Sequence, residues 1–527
     1  MPNTDLIFIY GPPLVGKSTL GRTFARHLNL PFWDLDEIIA GRAGKSIPDI
    51  FSEEGESAFR NWEIKLLREI CQREAGVVAL GGGALTQPAA RNLVERAGQV
   101  VLLQASRHTL LDRSQARSGN RPLLQDDPVH RLRTLLEDRA EHYASFERQI
   151  HVEGLAEPAI LSALERSLGR FRMEGMGEGY DVRVHPGSLD EIGDVLKPYI
   201  GVGPLAIVTD NRVGDLYAGR VRDALQRSGY GASTYTFPAG EASKTMSTVR
   251  DLWEHFLKVG MERGSTVVSL GGGVVGDVAG FAAALYYRGV PWINLPTSLL
   301  AMVDASLGGK TGVDLPRGKN LVGAFHPPEL VWVDPGVLDT LAEEELQSGM
   351  AEVIKHGVIA DPDLFSRISE GQGGFLTQRE EIIRRAMAVK AGIVREDPFD
   401  RGRRRVLNFG HTVGHGVEHA SGFELRHGEA VAAGMVVETR IAEEIGLAAP
   451  GLTSKVIGAL QAWQLPVHIP SSISAEEIVS SMMRDKKMEG GRLQFSLPVD
   501  LGEVRAGVEV PRDVWQSVLA HTGESDG

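Results

Sequence analysis

The chain has one cysteine in 527 residues, Cys71, and it lacks any uninterrupted apolar stretch of membrane-spanning length, any internal repeat and any low-complexity tract. A single thiol excludes an intrachain disulfide framework and suits a reducing compartment, where it reads as a small buried apolar residue. Without a run of about 20 apolar residues, no transmembrane helix is expected. The first apolar run, residues 6–10, follows a polar tetrapeptide and leads into a glycine turn, too short and wrongly flanked for a signal peptide. Basic excess is missing too. The net charge of -13 excludes a general affinity for nucleic acid or anionic membrane, so any anionic substrate must be met by a local basic pocket. A cytoplasmic protein acting on small molecules is the expectation.

What is present is α/β in pattern. Up to about Leu168, short β-branched runs (residues 6–10, 77–80 and 100–103) alternate with amphipathic helical stretches, the mark of a parallel sheet with crossover helices. Residues 173–179 carry three glycines and no apolar periodicity, and read as linker. A second α/β region follows, with strands at 205–209 and 266–270, and from about Val337 helical periodicity dominates. The expected organisation is a P-loop α/β domain over 1–170, a linker at 171–179, a nucleotide-binding α/β domain over 180–336 and a mostly helical domain over 337–527. Each is long enough to bury a core of its own.

Three motifs carry chemistry. Gly11-Pro12-Pro13-Leu14-Val15-Gly16-Lys17-Ser18-Thr19 lies between the first strand and a helix, the context a phosphate-binding P-loop requires: amides and the helix N-terminus hold phosphates, Lys17 meets the terminal ones and Ser18 binds magnesium. Gly271-Gly272-Gly273-Val274-Val275-Gly276-Asp277 satisfies G-x-G-x-x-G, weak evidence by itself. Finally, Glu352, the helical pair His411 and His415, and His427 offer a carboxylate and imidazoles for a borderline divalent ion such as zinc, with a position left open for substrate. Spacing alone makes both His411 and His415 ligands. An Asp34-Leu35-Asp36 cluster, Arg60 and Gly81-Gly82-Gly83 complete the set; singly, the aspartates could cap a helix and Arg60 could be a solvated helix arginine.

Together, the residues of the first part resemble shikimate kinase over about 6–168. The resemblance implies that Asp36 holds the shikimate hydroxyls and acts at the attacking one, that Arg60 and Arg139 clamp the carboxylate, and that Gly81, Gly82 and Gly83 form a backbone wall. It places Gly11, Gly16, Lys17, Ser18 and Thr19 on ATP, Asp34 near magnesium and Arg121 in a lid closing on the phosphates. Such residue types fit phosphoryl transfer, which needs positioning and charge neutralisation. One departure stands out: Leu14 occupies a position where loops of that family usually have glycine, so a positive φ there would be strained.

The remainder resembles 3-dehydroquinate synthase over about 180–510. By that likeness the glycine turn with Gly272 and Gly273 lies over an NAD pyrophosphate, Asp277 is near the nicotinamide, and Asp210, Glu241, Lys244, Thr297, Ser298, Lys310 and Lys319 complete the cofactor pocket; for Asp210 a turn or cap role is equally open. Arg288, Asp304, Lys310, Asn320, Lys355, Lys390, Arg404 and Asn408, with Lys487 or else Lys486, would bind a substrate bearing phosphate and carboxylate. The resemblance makes Glu352, His411 and His427 the ligands of zinc (or cobalt) and turns His415 to substrate as a proton-transfer group, with Lys310, Lys355 and Arg288 catalytic beside it. It thus implies a bifunctional enzyme of the shikimate pathway using ATP with magnesium in one part and NAD with a divalent metal in the other, and it allows a homodimer through the synthase part. The rivals are a polyol or iron-type alcohol dehydrogenase for the second part, and a non-catalytic regulatory module for the first.

Overall fold

The computed structural model describes residues 5–116, 128–316, 318–483, 488–489 and 492–521. The chain forms two compact units, Met1–Arg170 and Phe171–Gly527. The segment expected as linker divides differently: its first residues lie in strand β6 (Arg170–Met173), and Phe171, Met173 and Met176 are buried in the core of the second unit. Three large apolar side chains interleaved with glycine escape a pattern search based on periodicity, yet their burial is worth roughly 1.5–3 kcal/mol each.

The first unit is a five-stranded sheet built of β1 (Asp5–Tyr10), β2 (Phe32–Asp34), β3 (Ala75–Ala79), β4 (Gly98–Gln104) and β5 (Gln149–His151), in spatial order 2-3-1-4-5. Every pair is parallel. β1 is central and buried along nearly its whole length, as the apolar run demands for a strand covered on both faces. It ends at the P-loop, beyond which the helix Lys17–His27 begins with Gly16 at φ 103 and no side-chain cap, so its first amides are left for a ligand.

In the second unit β7 (Tyr180–Val184), β8 (Leu205–Asp210), β9 (Ala232–Phe237), β10 (Thr266–Gly271), β11 (Trp292–Pro296) and β14 (Leu330–Val333) join β6 in a seven-stranded sheet, order 6-7-14-11-10-8-9. β12 (Lys310–Leu315) and β13 (Gly318–Phe325) form a separate antiparallel hairpin, with Val313 buried in the core that includes Val267 and Trp292. Thereafter the chain is helical, with Glu343–Ala360, Gln372–Glu396, His411–Ala420 and His427–Glu444 carrying the residues of interest. The helical expectation for this part needs one addition. β15 (Met488–Glu489), β16 (Arg492–Asp500) and β17 (Glu503–Glu509) form an antiparallel sheet near the end of the chain. β17 is flanked by charge and alternates between exposed and half-buried positions, so its amphipathic contrast is weak.

Leu14 adopts φ 68, the strained conformation anticipated from its place in the loop. The side chain explains why the strain persists: it is 9% exposed and packs in a core with Ile9, Val15, Phe24 and Leu103. A left-handed leucine costs roughly 1–2 kcal/mol, whereas losing a buried leucine side chain costs roughly 2–5 kcal/mol. Leu14→Gly should therefore relieve the backbone and still destabilise the first unit by about 2 kcal/mol, read as a lower denaturation midpoint; a stabilised variant would show that the buried side chain contributes less than the strain.

Candidate functional site

In the first unit, Lys17 Nζ donates to the carbonyl oxygens of Gly11 and Pro12, both at 2.9 Å, which curls the lysine over its own loop. Ser18 and Thr19 are exposed on the first turn of the helix. Arg113 Nη1 donates to the Leu14 carbonyl at 3.1 Å and pins the strained residue from the helix Arg107–Ala116. Asp34 is a helix cap, its Oδ1 accepting the amides of Asp36 and Glu37 at 3.0 and 3.4 Å. Arg121 lies outside the described residues.

Asp36, Arg60, Arg139 and the three glycines converge. A Cβ on Gly81 would stand 3.0 Å from Asp36 Oδ1, and one on Gly83 would stand 2.6 Å from Arg60 Nη2 and 3.1 Å from Arg139 Nη1, so side chains are excluded by the very groups that would face a bound acid. Arg139 Nη1 donates to the Gly82 carbonyl at 2.9 Å, and the Tyr143 and Tyr10 hydroxyls share that oxygen at 2.8 and 3.2 Å. Sequence reasoning missed Glu63. It is 2% exposed, its Oε2 accepts from Arg60 Nη1 at 2.6 Å, and a Cβ on Gly81 would come within 3.2 Å of its Oε1. Burial, together with nearby Asp36, pushes its carboxyl up to about 7 against the pull of Arg60. The one available signal was a glutamate three residues after an arginine on the apolar side of a helix.

In the second unit the glycine turn opens the helix Gly273–Leu285, again with no side-chain cap. Around it Asp277 Oδ2 lies 2.6 Å from Lys244 Nζ, which also donates to Asn320 Oδ1 at 2.5 Å. Lys310 lines the same depression as Gly272, Gly273 and Asp277, and pairs with Asp400. Thr297 is buried with its amide on the Gly271 carbonyl, and Ser298 stands beside Gly272. Lys319 reaches Glu418 at 2.7 Å and Glu241 at 3.7 Å. Asp210 caps a short helix, its Oδ1 accepting the amides of Arg212 and Val213 at 2.9 Å.

The metal set is assembled from three helices. Glu352, with no exposed surface, presents Oε1 at 3.5 Å from both His411 Nε2 and His427 Nε2. That oxygen has no well-formed hydrogen bond among the described residues. Ligand atoms of a tetrahedral zinc site sit about 3.3 Å apart, given bonds near 2.0–2.1 Å, so the three atoms fit a single ion. His411 Nδ1 lies 3.2 Å from the Phe409 carbonyl, which can only accept; the proton is therefore on Nδ1 and the Nε2 lone pair faces the carboxylate. Burial and the Lys355 ammonium hold His411 well below the usual imidazole range, which keeps it a neutral ligand. His415 stands edge-on to His411 and tilted against His427, its centroid 5.2 Å and 5.9 Å from theirs.

Cations crowd the adjoining volume. Lys355 is buried in an ion pair with Glu352, and Lys390 Nζ donates to the Asp304 carbonyl and carboxylate at 2.6 and 2.7 Å. Burial pushes Lys390 down to about 8; burial would raise Asp304, but Lys390 and Lys355 outweigh it and hold that carboxyl low. Arg404 is buried, donates to the Pro398 carbonyl at 2.8 Å and approaches the Gly308 carbonyl, and Asn408 ends the turn just before the histidine helix. Arg288 is exposed, at φ 68 after Tyr287 at φ 49. Lys486 and Lys487 lie outside the described residues.

A second missed residue is Glu438. The helix His411–Ala420 starts from Gly410 at φ 78 with no side-chain cap, so its first amides need acceptors. Glu438, fully buried on the helix His427–Glu444, supplies them: Oε2 accepts from Gly410 at 2.7 Å and Oε1 from Thr412 and Val413 at 2.9 and 3.0 Å. A capless helix start was the legible signal, but the partner lies 26 residues onward from Thr412.

Both units match known protein families. Residues 14–166 match the shikimate kinase family, 234–348 the N-terminal and 349–488 the C-terminal 3-dehydroquinate synthase family. The 3-dehydroquinate synthase of Synechocystis is 43% identical over 348 residues, 64% of this chain and 96% of that protein. The chain belongs to the 3-dehydroquinate synthase family, with a shikimate kinase domain ahead of it. Among solved structures, 2-epi-5-epi-valiolone synthase from Streptomyces hygroscopicus, with NAD+ and Zn2+ bound, is 29% identical with a TM-score of 0.60, covering 66% of this chain and 97% of that one. A 2-deoxy-scyllo-inosose synthase complexed with carbaglucose-6-phosphate, NAD+ and Co2+ is 25% identical with a TM-score of 0.62, covering 67% and 100%.

Two outcomes follow from the residues the sequence did not reveal. Because the folded Glu63 titrates near 7 instead of at the usual 4.5, it is neutral below that pH and leaves Arg60 its full charge; above it, the ionised carboxylate competes for the guanidinium. The KM for shikimate should thus rise as pH climbs through about 7, and Glu63→Gln should flatten that rise; an unchanged profile would remove Glu63 from the carboxylate site. The sign for stability is the same: the group favours the fold below about 4.5 and that contribution is lost as pH rises to about 7. Separately, Glu438→Gln leaves buried amides short of acceptors and should weaken divalent-metal affinity by about tenfold, measured by competition with a chelating dye; undiminished affinity would mean the helix start is held by other groups.

Proposed function

We propose that the chain is a bifunctional enzyme. Its first unit phosphorylates shikimate with ATP and magnesium to shikimate 3-phosphate; its second converts 3-deoxy-D-arabino-heptulosonate 7-phosphate to 3-dehydroquinate and phosphate. The observation that carries the second reading is the Glu352, His411 and His427 set lying among buried Lys355, Lys390 and Arg404, since a polyol dehydrogenase has no need of so many cations around its metal. For the first, it is the convergence of Arg60, Arg139 and Asp36 on the glycine wall.

In the first unit Lys17 would leave the Gly11 and Pro12 carbonyls for the transferred phosphoryl group, Ser18 would hold magnesium, and Asp36 would accept the hydroxyl proton while Arg60 and Arg139 fix the carboxylate. In the second, Glu352, His411 and His427 would hold a divalent ion, zinc or cobalt, that lends Lewis acidity to the substrate hydroxyls, alongside NAD as reversible hydride acceptor. The chain's own part is to bind and to move protons. Lys355, Lys390, Arg404 and Asn408 would orient the phosphate and carboxylate, His415 would exchange a proton with the substrate through its imidazole, and Lys310, held by Asp400, would neutralise the departing phosphate. The walls of the pocket keep water from the intermediates.

Each unit has its own core, so the boundary near 170 is read as a functional one, and the divisions at 179 and 336, a cytoplasmic location and a homodimer through the second unit are parts of the same reading. No described helix is long and apolar enough to cross a membrane. The test is an assay of the purified chain with heptulosonate phosphate, zinc and a trace of NAD. Phosphate and 3-dehydroquinate should form many times over with no growth of NADH absorbance, and Lys17→Ala should abolish only the ATP-dependent phosphorylation of shikimate. NADH rising in step with product would favour the dehydrogenase, and shikimate binding without transfer in the unmodified chain would make the first unit a regulatory module.

A further inference from the structure

Lys319, on β13, lies between two carboxylates from opposite sides of the second unit's site. Its Nζ is 2.7 Å from Glu418 Oε1, on the histidine helix, and 3.7 Å from Glu241 Oε1, on the loop expected to meet the nucleotide. Phe423 lays its ring beneath the ammonium, 4.5 Å to the centroid. That ring is brought there by a backbone turn with Phe423 at φ 65 and its amide on the Glu418 carbonyl at 3.0 Å. A surface phenylalanine in a left-handed turn costs free energy that a solvated loop would shed, so the grip on Lys319 is a specific one.

Glu418 faces the other way as well. It is 5% exposed, and its Oε2 lies 3.4 Å from His427 Nδ1. A carboxylate can only accept, so one proton is held on Nδ1 by Glu418, and it is Nε2, 3.5 Å from Glu352 Oε1, that would give up its own proton and turn a lone pair to an ion shared with Glu352. One carboxylate thus fixes both the tautomer of a metal ligand and the position of a lysine on the nucleotide-side hairpin.

We propose that Glu418 is a positioning residue that, through Lys319, couples nucleotide binding to metal binding, so that each tightens the other. An ammonium has three donors; one is taken by Glu418 and one is turned toward Glu241, which leaves Lys319 able to engage an anionic nucleotide without releasing Glu418. Binding of either ligand then orders the same hairpin and helix end, and the second ligand meets less ordering cost. The proposal rests on the reading that NAD lies along 241–244 and 272–277 and that the ion sits on Glu352, His411 and His427.

The experiment is a pair of titrations on the metal-stripped full-length chain: zinc by chelator competition with and without saturating NAD, and NAD by fluorescence with and without zinc. The wild type should show mutual tightening on the order of tenfold, equal in both directions as linkage requires. Glu418→Gln should bind zinc about 10- to 100-fold more weakly and lose the mutual tightening. Lys319→Met should keep zinc affinity in the absence of NAD yet lose the tightening, and Lys319→Arg should restore part of it. Wild-type coupling in either Glu418→Gln or Lys319→Met would overturn the proposal. So would loss of zinc in Glu418→Gln as complete as in Glu352→Gln, which would make Glu418 a ligand in a set with His415 and His427, a grouping whose atoms also lie within 4.8 Å. If the wild type bound neither zinc nor NAD, the synthase reading itself would fall; if it bound both with independent affinities, only the coupling would.

Discussion

The second unit is organised by the need to keep one carboxylate ionised where no water reaches it. Glu352 is fully buried, and an uncompensated carboxylate there would cost several kcal/mol. The Lys355 ammonium one turn away on the same helix answers it, and so does His427 while it carries both protons; His411 brings a lone pair and answers the carboxylate only through an ion the two would share. Because the two histidines begin different helices, neutralising Glu352 fixes how those helices approach the helix Glu343–Ala360. The compensation is incomplete, since Oε1 has two rings near it at a distance too long for good hydrogen bonds. That deficit is what a divalent cation would fill, so the packing that stabilises the helices also defines the site.

The same accounting extends outward in shells of alternating sign. Lys355 and Lys390 bear on Asp304, Arg404 donates to backbone carbonyls, and Lys319 lies between Glu241 and Glu418. Burial holds Lys390 near the point of losing its proton, at about 8, so a dianionic substrate would raise it again and be bound the more tightly for it. An acidic protein can in this way present a basic pocket without a basic surface. The first unit does likewise with fewer groups: Arg60 is shared between Glu56 and Glu63, and Arg139 is braced on a carbonyl that also serves two tyrosines.

Sequence made legible whatever is local. The P-loop showed in its strand, glycines and helix, and the strain at Leu14 followed from a side chain where the turn calls for none. The histidine spacing was legible but ambiguous, because a helical face presents i and i+4 alike; what separates His411 from His415 is the rotation of the helix against Glu352, which is set by residues far along the chain. The same limit hid Glu438 and Glu63. A capless helix announces unmet amides, and a glutamate on an apolar helix face announces a hidden partner, but neither says which partner. Residues 171–176 were misread for the opposite reason, since glycine content outweighed three apolar side chains that the second core takes up.

Leu14 and Phe423 show one principle at two sites. Each holds a left-handed backbone that glycine would adopt freely, and each does so because its side chain is committed, Leu14 to the core beneath the P-loop and Phe423 to the face of Lys319. Strain of roughly 1–2 kcal/mol persists only where the fold over-determines the residue. At the P-loop the commitment is apolar and internal, and it stiffens a phosphate-binding turn from below. At Phe423 it is a half-exposed ring against a cation, an interaction weak enough to be remade when that cation meets a ligand. Of the two, the second is therefore the place where binding can change the structure, and it stands between the hairpin and the histidine helix.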